Sequence, residues 1–166
     1  MTWSAPPVFT SPIGNDLTEA TMAQERRELV VVGIDGSDTS LLALRWAMRY
    51  AEKTDSRIRA LHAWQIPTSY GAPVAVLPGE DFRATAERAL RGSVDGELGG
   101  RTDLEIDSVT EMGHPPEVLV EHSKEADLLV VGSRGHGALR GSLLGSVSLH
   151  CVTRASCPVV VVRDER

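Results

Sequence analysis

Three short β-branched runs constrain this chain more than anything else in it. They are Leu29-Val30-Val31-Val32, Leu128-Leu129-Val130-Val131 and Val159-Val160-Val161-Val162. A run that stays apolar, with no polar residue at alternate positions, describes a strand covered on both faces. Helix-like segments separate these runs from one another. Ser37 or Asp38 caps a helix to about Lys53, with Leu41, Leu44, Met48 and Ala51 as its apolar stripe. Arg57–Trp64 reads as a second strand, followed by a breaker-rich connection holding Pro67, Gly71, Pro73, Pro78 and Gly79. Glu80 to about Leu98 predicts a second helix, weakened toward its end by Gly92 and Gly96.

Leu104–Met112 predicts a third strand, alternating through Leu104, Ile106 and Ser108. Pro115 and Pro116 suit the first turn of a third helix reaching about Glu125. Asp127–Val131 is then the fourth strand, and Ser146 caps a last helix bearing Val147, Cys151 and Val152. Pro158–Arg163 is the fifth strand. Strict alternation of strand and helix implies an α/β fold: a single open, mostly parallel five-stranded sheet with helices on both faces. Ligands of such sheets sit beyond the C-terminal strand ends, at a topological switch point. The loops 33–37 and 132–146 are therefore privileged.

At 166 residues the chain suits one domain. Residues 1–28, with Pro6, Pro7 and Pro12 and no sustained period, read as a flexible N-terminal extension, with Met22 as an alternative start; residues 29–164 form the domain. Seventeen basic against 23 acidic residues leave a net charge of −6, a poor match for a nucleic-acid backbone. No stretch approaches the roughly 18–20 apolar residues of a membrane span, and the N-terminus lacks the basic and apolar regions of a secretory signal. Cys151 and Cys157, six apart, suggest neither a disulfide framework nor a zinc site, so the reducing cytoplasm is the expected location.

The chemistry concentrates in Gly132-Ser133-Arg134-Gly135-His136-Gly137-Ala138. Three glycines in six residues cost conformational entropy. They let the backbone adopt positive φ and approach a ligand closely, so that successive N–H groups form an anion nest. Gly145-Ser146 adds donors at a helix N-terminus, where the dipole favours negative charge. The expected ligand is a di- or triphosphate, held by backbone amides and by the Ser133 and Ser146 hydroxyls. A plain surface loop is the competing explanation. Gly132 and Gly137 have the P-loop glycine spacing, but Ala138-Leu139 stand where Lys-Ser/Thr is required. Gly33-Ile34-Asp35-Gly36 is not a dinucleotide fingerprint. Without the lysine, fast phosphoryl transfer lacks its usual cation, and neither Arg134 nor Arg140 has a recognised catalytic partner. Binding is better supported than turnover.

Gly132-x2-Gly135-x9-Gly145-Ser146 resembles the G-2x-G-9x-G-[S/T] signature of ATP-binding universal stress proteins. Val31-Val32-Gly33-Ile34-Asp35-Gly36-Ser37 and Cys157-Pro158-Val159-Val160-Val161-Val162 are similar to the opening and close of that family. The resemblance covers about Leu29 to Arg163. It implies a Rossmann-like sheet of strand order 3-2-1-4-5 with ATP, and Mg²⁺ as its companion, between strands one and four. Gly33 and Asp35 would lie at the nucleoside end, and Ala63 would line the adenine pocket. Gly132 to Ala138 would wrap phosphates and ribose, with Ser146 and Val147 closing the triphosphate end. It also implies a homodimer through the strand at 158–163, which fits an apolar strand at a sheet edge. The implied function is ATP-dependent regulation in stress adaptation with little or no catalysis; a slow ATPase or nucleotidyl-transferring enzyme on the same fold is the alternative.

Other residues read more plainly. Asp35 suits either a nucleotide contact or an Asx-type turn. His62, His122 and His150 are expected to be structural, and His114 borders the third strand's end. His136 suits a phosphate contact or a solvent-facing loop equally. Glu117 and Glu121 describe a solvated helix face. Trp46 and Trp64 are packing residues, and Cys151 is a small buried hydrophobe.

Overall fold

Burial on both sides is what the β-branched runs require; the sheet provides it for Leu29–Val32 and Leu129–Val131, while Val159–Val162 at the sheet edge are half-buried. The computed structural model describes residues 27–66, 68–69, 72–73, 81–135 and 144–164. Five strands form one sheet: β1 (Leu29–Gly33), β2 (Arg57–Trp64), β3 (Ile106–Met112), β4 (Leu128–Gly132) and β5 (Val159–Val162). All pairings within it are parallel and the order is β3-β2-β1-β4-β5. The chain thus adds strands outward from β1 to β3, then crosses back to place β4 on β1's other side. That reversal puts the switch point between β1 and β4. The expected fold class and strand order are both met.

Among the described residues four helices cover the two faces: α1 (Asp38–Thr54), α2 (Phe82–Leu98), α3 (Pro115–His122) and α4 (Ser146–Arg154). Val30 and Val32 of β1 pack with Leu44 and Met48 of α1 and Leu90 and Val94 of α2. The alternate residues Leu29 and Val31 pack with Val118 and Leu119 of α3 and Cys151 of α4. Each parity of β1 therefore has its own apolar layer, which is why the run is continuous.

Local chemistry sets most helix ends. Ser37 caps α1, its side chain accepting from the Ser40 N–H, and Asp55 ends that helix in the left-handed region at φ 55°. Asp81 caps α2 through a 3.0 Å bond from the Ala84 N–H, and Gly99 closes it at φ 57°. Pro115 opens α3 as its sequence predicts.

Several boundaries differ from expectation. The α1 stripe runs through Ala43, Leu44, Ala47, Met48 and Ala51, while Leu41 is half-buried. β3 begins at Ile106 rather than Leu104, and Ser108 is exposed because β3 is an edge strand. α3 ends at His122, not Glu125. Ser123 terminates it: its hydroxyl accepts the Ser156 N–H at 2.9 Å, tying the helix end to the chain after α4. The N-cap of α4 is Gly145, and Ser146 is already helical.

Arg27 and Glu28 are docked on the domain. Arg27 Nε donates to the Asp55 carbonyl at 2.8 Å, and its Nη1 meets Glu105 Oε2 at 2.9 Å. The readings made for residues 1–26 and for His136, Gly137, Ala138 and Arg140 lie outside the described residues. So does the connection after β2, except for Gln65, Ile66 and a two-residue antiparallel ladder, Thr68–Ser69 with Ala72–Pro73. Among the described residues no helix is long and apolar enough to cross a membrane.

Candidate functional site

A cavity of about 390 Å³ opens beyond the C-terminal ends of β1 and β4, at the switch point. β1 and its loop bring Gly33 and Asp35 to its wall, and β2 brings Ala63. From the end of β4 come Gly132, Arg134 and Gly135, and from the start of α4 come Gly145, Ser146 and Val147. Nine residues singled out in the sequence thus share one cavity.

The glycines are there for closeness. A Cβ on Gly132 would sit 2.7 Å from the Thr39 carbonyl carbon and 2.8 Å from its oxygen, backbone atoms that cannot step aside. A Cβ on Gly135 would run into Asp35 Oδ2. Neither has positive φ, contrary to the expectation; in this region it is Gly36, at φ 81°, that uses that freedom. Gly145 meets its neighbours only at ordinary contact, 3.5 Å and beyond.

Ser133 stands behind the wall rather than in it. It is 2% exposed and does not line the cavity. Its N–H donates to the Val162 carbonyl at 2.7 Å, and its carbonyl accepts the Gly145 N–H at 2.7 Å. Ser148 Oγ lies 3.0 Å from both the Ser133 and Gly145 carbonyls. These bonds join the two ends of the 132–145 loop and anchor them to β5. A phosphate contact through the Ser133 hydroxyl does not fit this placement.

The opening of α4 faces the same space. Its internal ladder begins with the Leu149 N–H donating to the Gly145 carbonyl at 3.0 Å. The amides of Ser146, Val147 and Ser148 therefore have no intrahelical acceptor, and the helix dipole is positive there. Asp35 and Arg134 are the charged residues among the described lining. Asp35 Oδ1 takes the Ser37 N–H at 2.9 Å and the Ser37 hydroxyl at 2.5 Å, so the Asx-type turn and the cavity position coexist. His62 Nδ1 lies 2.7 Å from the Ile34 carbonyl and pins this turn, the structural role expected of it.

Much of the remaining lining is apolar: Leu61, Ala63 and Val131 from the sheet, Pro115 and Leu119 from α3, and the Val147 side chain from α4. An apolar slot of this kind accepts a flat heterocycle, while the amides accept an anion. Sequence reading missed Ile34, Ser40, Leu61, Pro115, Leu119, Val131 and Ser148. Ile34 had a usable signal, inside the loop after the first strand, and so had Pro115, as the residue opening a helix directly after a strand end.

The remaining candidates lie elsewhere. His114 is exposed, 3.8 Å from Glu117 Oε1. Glu121 pairs with Lys124 at 2.6 Å on the solvent face. Trp46 stacks on Tyr50 with centroids 5.4 Å apart. Cys151 is fully buried, and that burial pushes its thiol up to about 11. No group of three or more His, Cys, Asp or Glu residues suited to a metal occurs among the described residues.

Known proteins share both the sequence and the fold. The chain is 37% identical over 149 residues to the universal stress protein Rv2005c of Mycobacterium tuberculosis, covering 88% of this chain and 49% of that protein. It therefore spans about half the length of the curated relatives it matches. Among solved structures, a universal stress protein in complex with cAMP aligns with TM-score 0.62 and 32% identity, over 82% of this chain and 97% of the other. A universal stress protein from Archaeoglobus fulgidus shares the fold at TM-score 0.63 and 20% identity, over 86% and 98% of the two chains. The model of the universal stress protein family matches residues 27–163. With that span including every strand and helix of the sheet, the chain belongs to the universal stress protein family.

Proposed function

We propose that this chain binds ATP in the cavity between β1 and β4 and acts as a nucleotide-dependent regulator in stress adaptation, in the cytoplasm. The observation that carries the reading is the cavity's mixed lining: first-turn amides of α4 with no intrahelical acceptor, together with an apolar slot of sheet and helix side chains. The adenine lies against Ala63 and the slot, with Gly33 and Asp35 at the nucleoside. The phosphates lie along Gly132, Arg134 and Gly135 and on the first turn of α4, where Gly145, Ser146 and Val147 close the site. His136, Gly137 and Ala138, outside the described residues, complete the wrap in this reading. A relative at 32% identity was crystallised with cAMP, which supports an adenine nucleotide and makes cAMP the second ligand to test.

Mg²⁺ fits only as a companion of the phosphates. Asp35 is the one carboxylate among the described lining, and its Oδ1 already accepts two bonds from Ser37. The ion's remaining oxygens would come from phosphate and water, as is usual for Mg²⁺. The proposed assembly is a homodimer through the strand at 158–163.

Titration calorimetry of the wild-type protein and Gly135→Val, with ATP and with cAMP, tests the site. The added side chain lands on Asp35 and fills the phosphate approach. The expected result is saturable ATP binding by the wild type and at least a tenfold loss in the variant, about 1.4 kcal/mol. Equal affinity in a variant of unchanged circular dichroism removes the cavity from consideration. Saturable cAMP binding with no response to ATP favours the second ligand.

A further inference from the structure

The Arg134–Gly135 peptide unit is held by a residue from the opposite side of the switch point. Thr39, in the first turn of α1, is 8% exposed. Its hydroxyl Oγ1 donates to the Arg134 carbonyl, 95 residues away. Thr39 can come this near because Gly132 has no side chain: a Cβ there would lie 2.8 Å from Thr39 Oγ1. The neighbouring Ser37 hydroxyl lies 3.5 Å from Thr39 Oγ1, but its own short bond, 2.5 Å, runs to Asp35 Oδ1. The two hydroxyls thus have separate acceptors, and the Thr39 proton belongs to the loop.

A trans peptide is planar, and its C=O and N–H point in opposite directions. No cis bond occurs among the described residues. Turning the Arg134 carbonyl toward Thr39, which does not line the cavity, turns the Gly135 N–H the other way. Gly135 does line the cavity, and its N–H has no acceptor among the described residues. Gly135 is exposed, so this N–H is open to a ligand atom that enters the cavity.

From this geometry we infer that Thr39 is a positioning residue: its hydroxyl fixes the Arg134–Gly135 peptide so that the Gly135 amide faces the anionic part of the ligand. The inference deepens the ATP reading and rests on it. Thr39 touches no ligand itself. Its effect is specific to the anion, because the apolar slot is built from other elements.

The test compares ATP with adenosine, which has the same base and sugar and no phosphate. In Thr39→Val the carbonyl loses its donor and the peptide is free to rotate. ATP affinity is expected to fall about tenfold, the size of one charge-assisted hydrogen bond, with adenosine affinity unchanged. Thr39→Ser, which keeps the hydroxyl, restores ATP affinity. A second measurement needs no folded variant: in the wild type, the Gly135 amide proton resonance shifts downfield with ATP and stays in place with adenosine. Three results overturn the assignment: unchanged ATP affinity in Thr39→Val, an equal loss of both ligands, or a Gly135 amide indifferent to ATP. If the wild type binds no ATP at all, the nucleotide reading falls and takes this one with it.

Discussion

Gly135 and Asp35 meet across 100 residues of sequence because β1 and β4 are neighbours, and the missing side chain of one makes room for the carboxylate of the other. That pair was half legible. Glycines directly after a buried strand signal a close approach, but nothing local says which atom approaches. Thr39 and Ser148 were not legible at all: each hydroxyl bonds to a carbonyl brought in by tertiary contact, and a Thr or Ser in a helical first turn looks the same with or without such a bond. Cys151 was legible, since a thiol on an apolar helix face behaves as a small hydrophobe. Burial holds its ionisation near 11 against an ordinary 9.0. The folded state thus favours the neutral thiol. That contribution is complete below about pH 9 and is lost as pH rises through about 11. At pH 8, Cys151 is expected to resist a disulfide-exchange reagent until denaturant is added. Reaction in the native state at the rate of a free thiol would contradict its burial.

The elements were placed best where covered on both sides. β1 and β2 fall on their sequence-predicted residues within one position, because an unbroken apolar run and an alternating run each leave one solution. β3 was read too long: edge strands have one open side, so their pattern fades into polar residues such as Asp107 and Ser108. α3 was also read too long, since its end depends on Ser123 bonding to Ser156 rather than on a local stop signal. α2 runs through Gly92 and Gly96 without interruption to Leu98. Open space surrounds a Cβ added at either position, and neither has positive φ. Gly92→Ala is therefore expected to stabilise the protein by about 0.5–1 kcal/mol, through the lower backbone entropy of its unfolded chain. Denaturant unfolding with an unchanged slope should show it as a higher midpoint. A lower midpoint would mean that α2 is packed against something at that position.

At the scale of the whole molecule, periodicity established strands and helices but not their order; 3-2-1-4-5 came from the resemblance to a family. The order matters because it places β5 at the edge. Pro158 and Val162 turn their carbonyls to β4, where they accept from Leu129 and Ser133. By the two-residue period of a strand, Val159 and Val161 turn their backbone groups to the open side. Leu149 and Val152 of the adjacent α4 are half exposed, at 53% and 50%. If two copies join through this strand, Val161→Pro removes an outward N–H while leaving the ladder to β4 intact. Sedimentation should then show a dimer for the wild type and a folded monomer for the variant. A variant that remains dimeric would place the interface elsewhere. The same topology creates the cavity, by parting the chain between β1 and β4, and the cavity's occupancy is the central claim. A crystal structure of the full chain grown with saturating ATP tests it most directly. Phosphate density within hydrogen-bonding distance of the Gly135 and Ser146 amides, with adenine beside Ala63, is the expected result. An ordered 132–146 loop around a cavity holding only water under those conditions would contradict it.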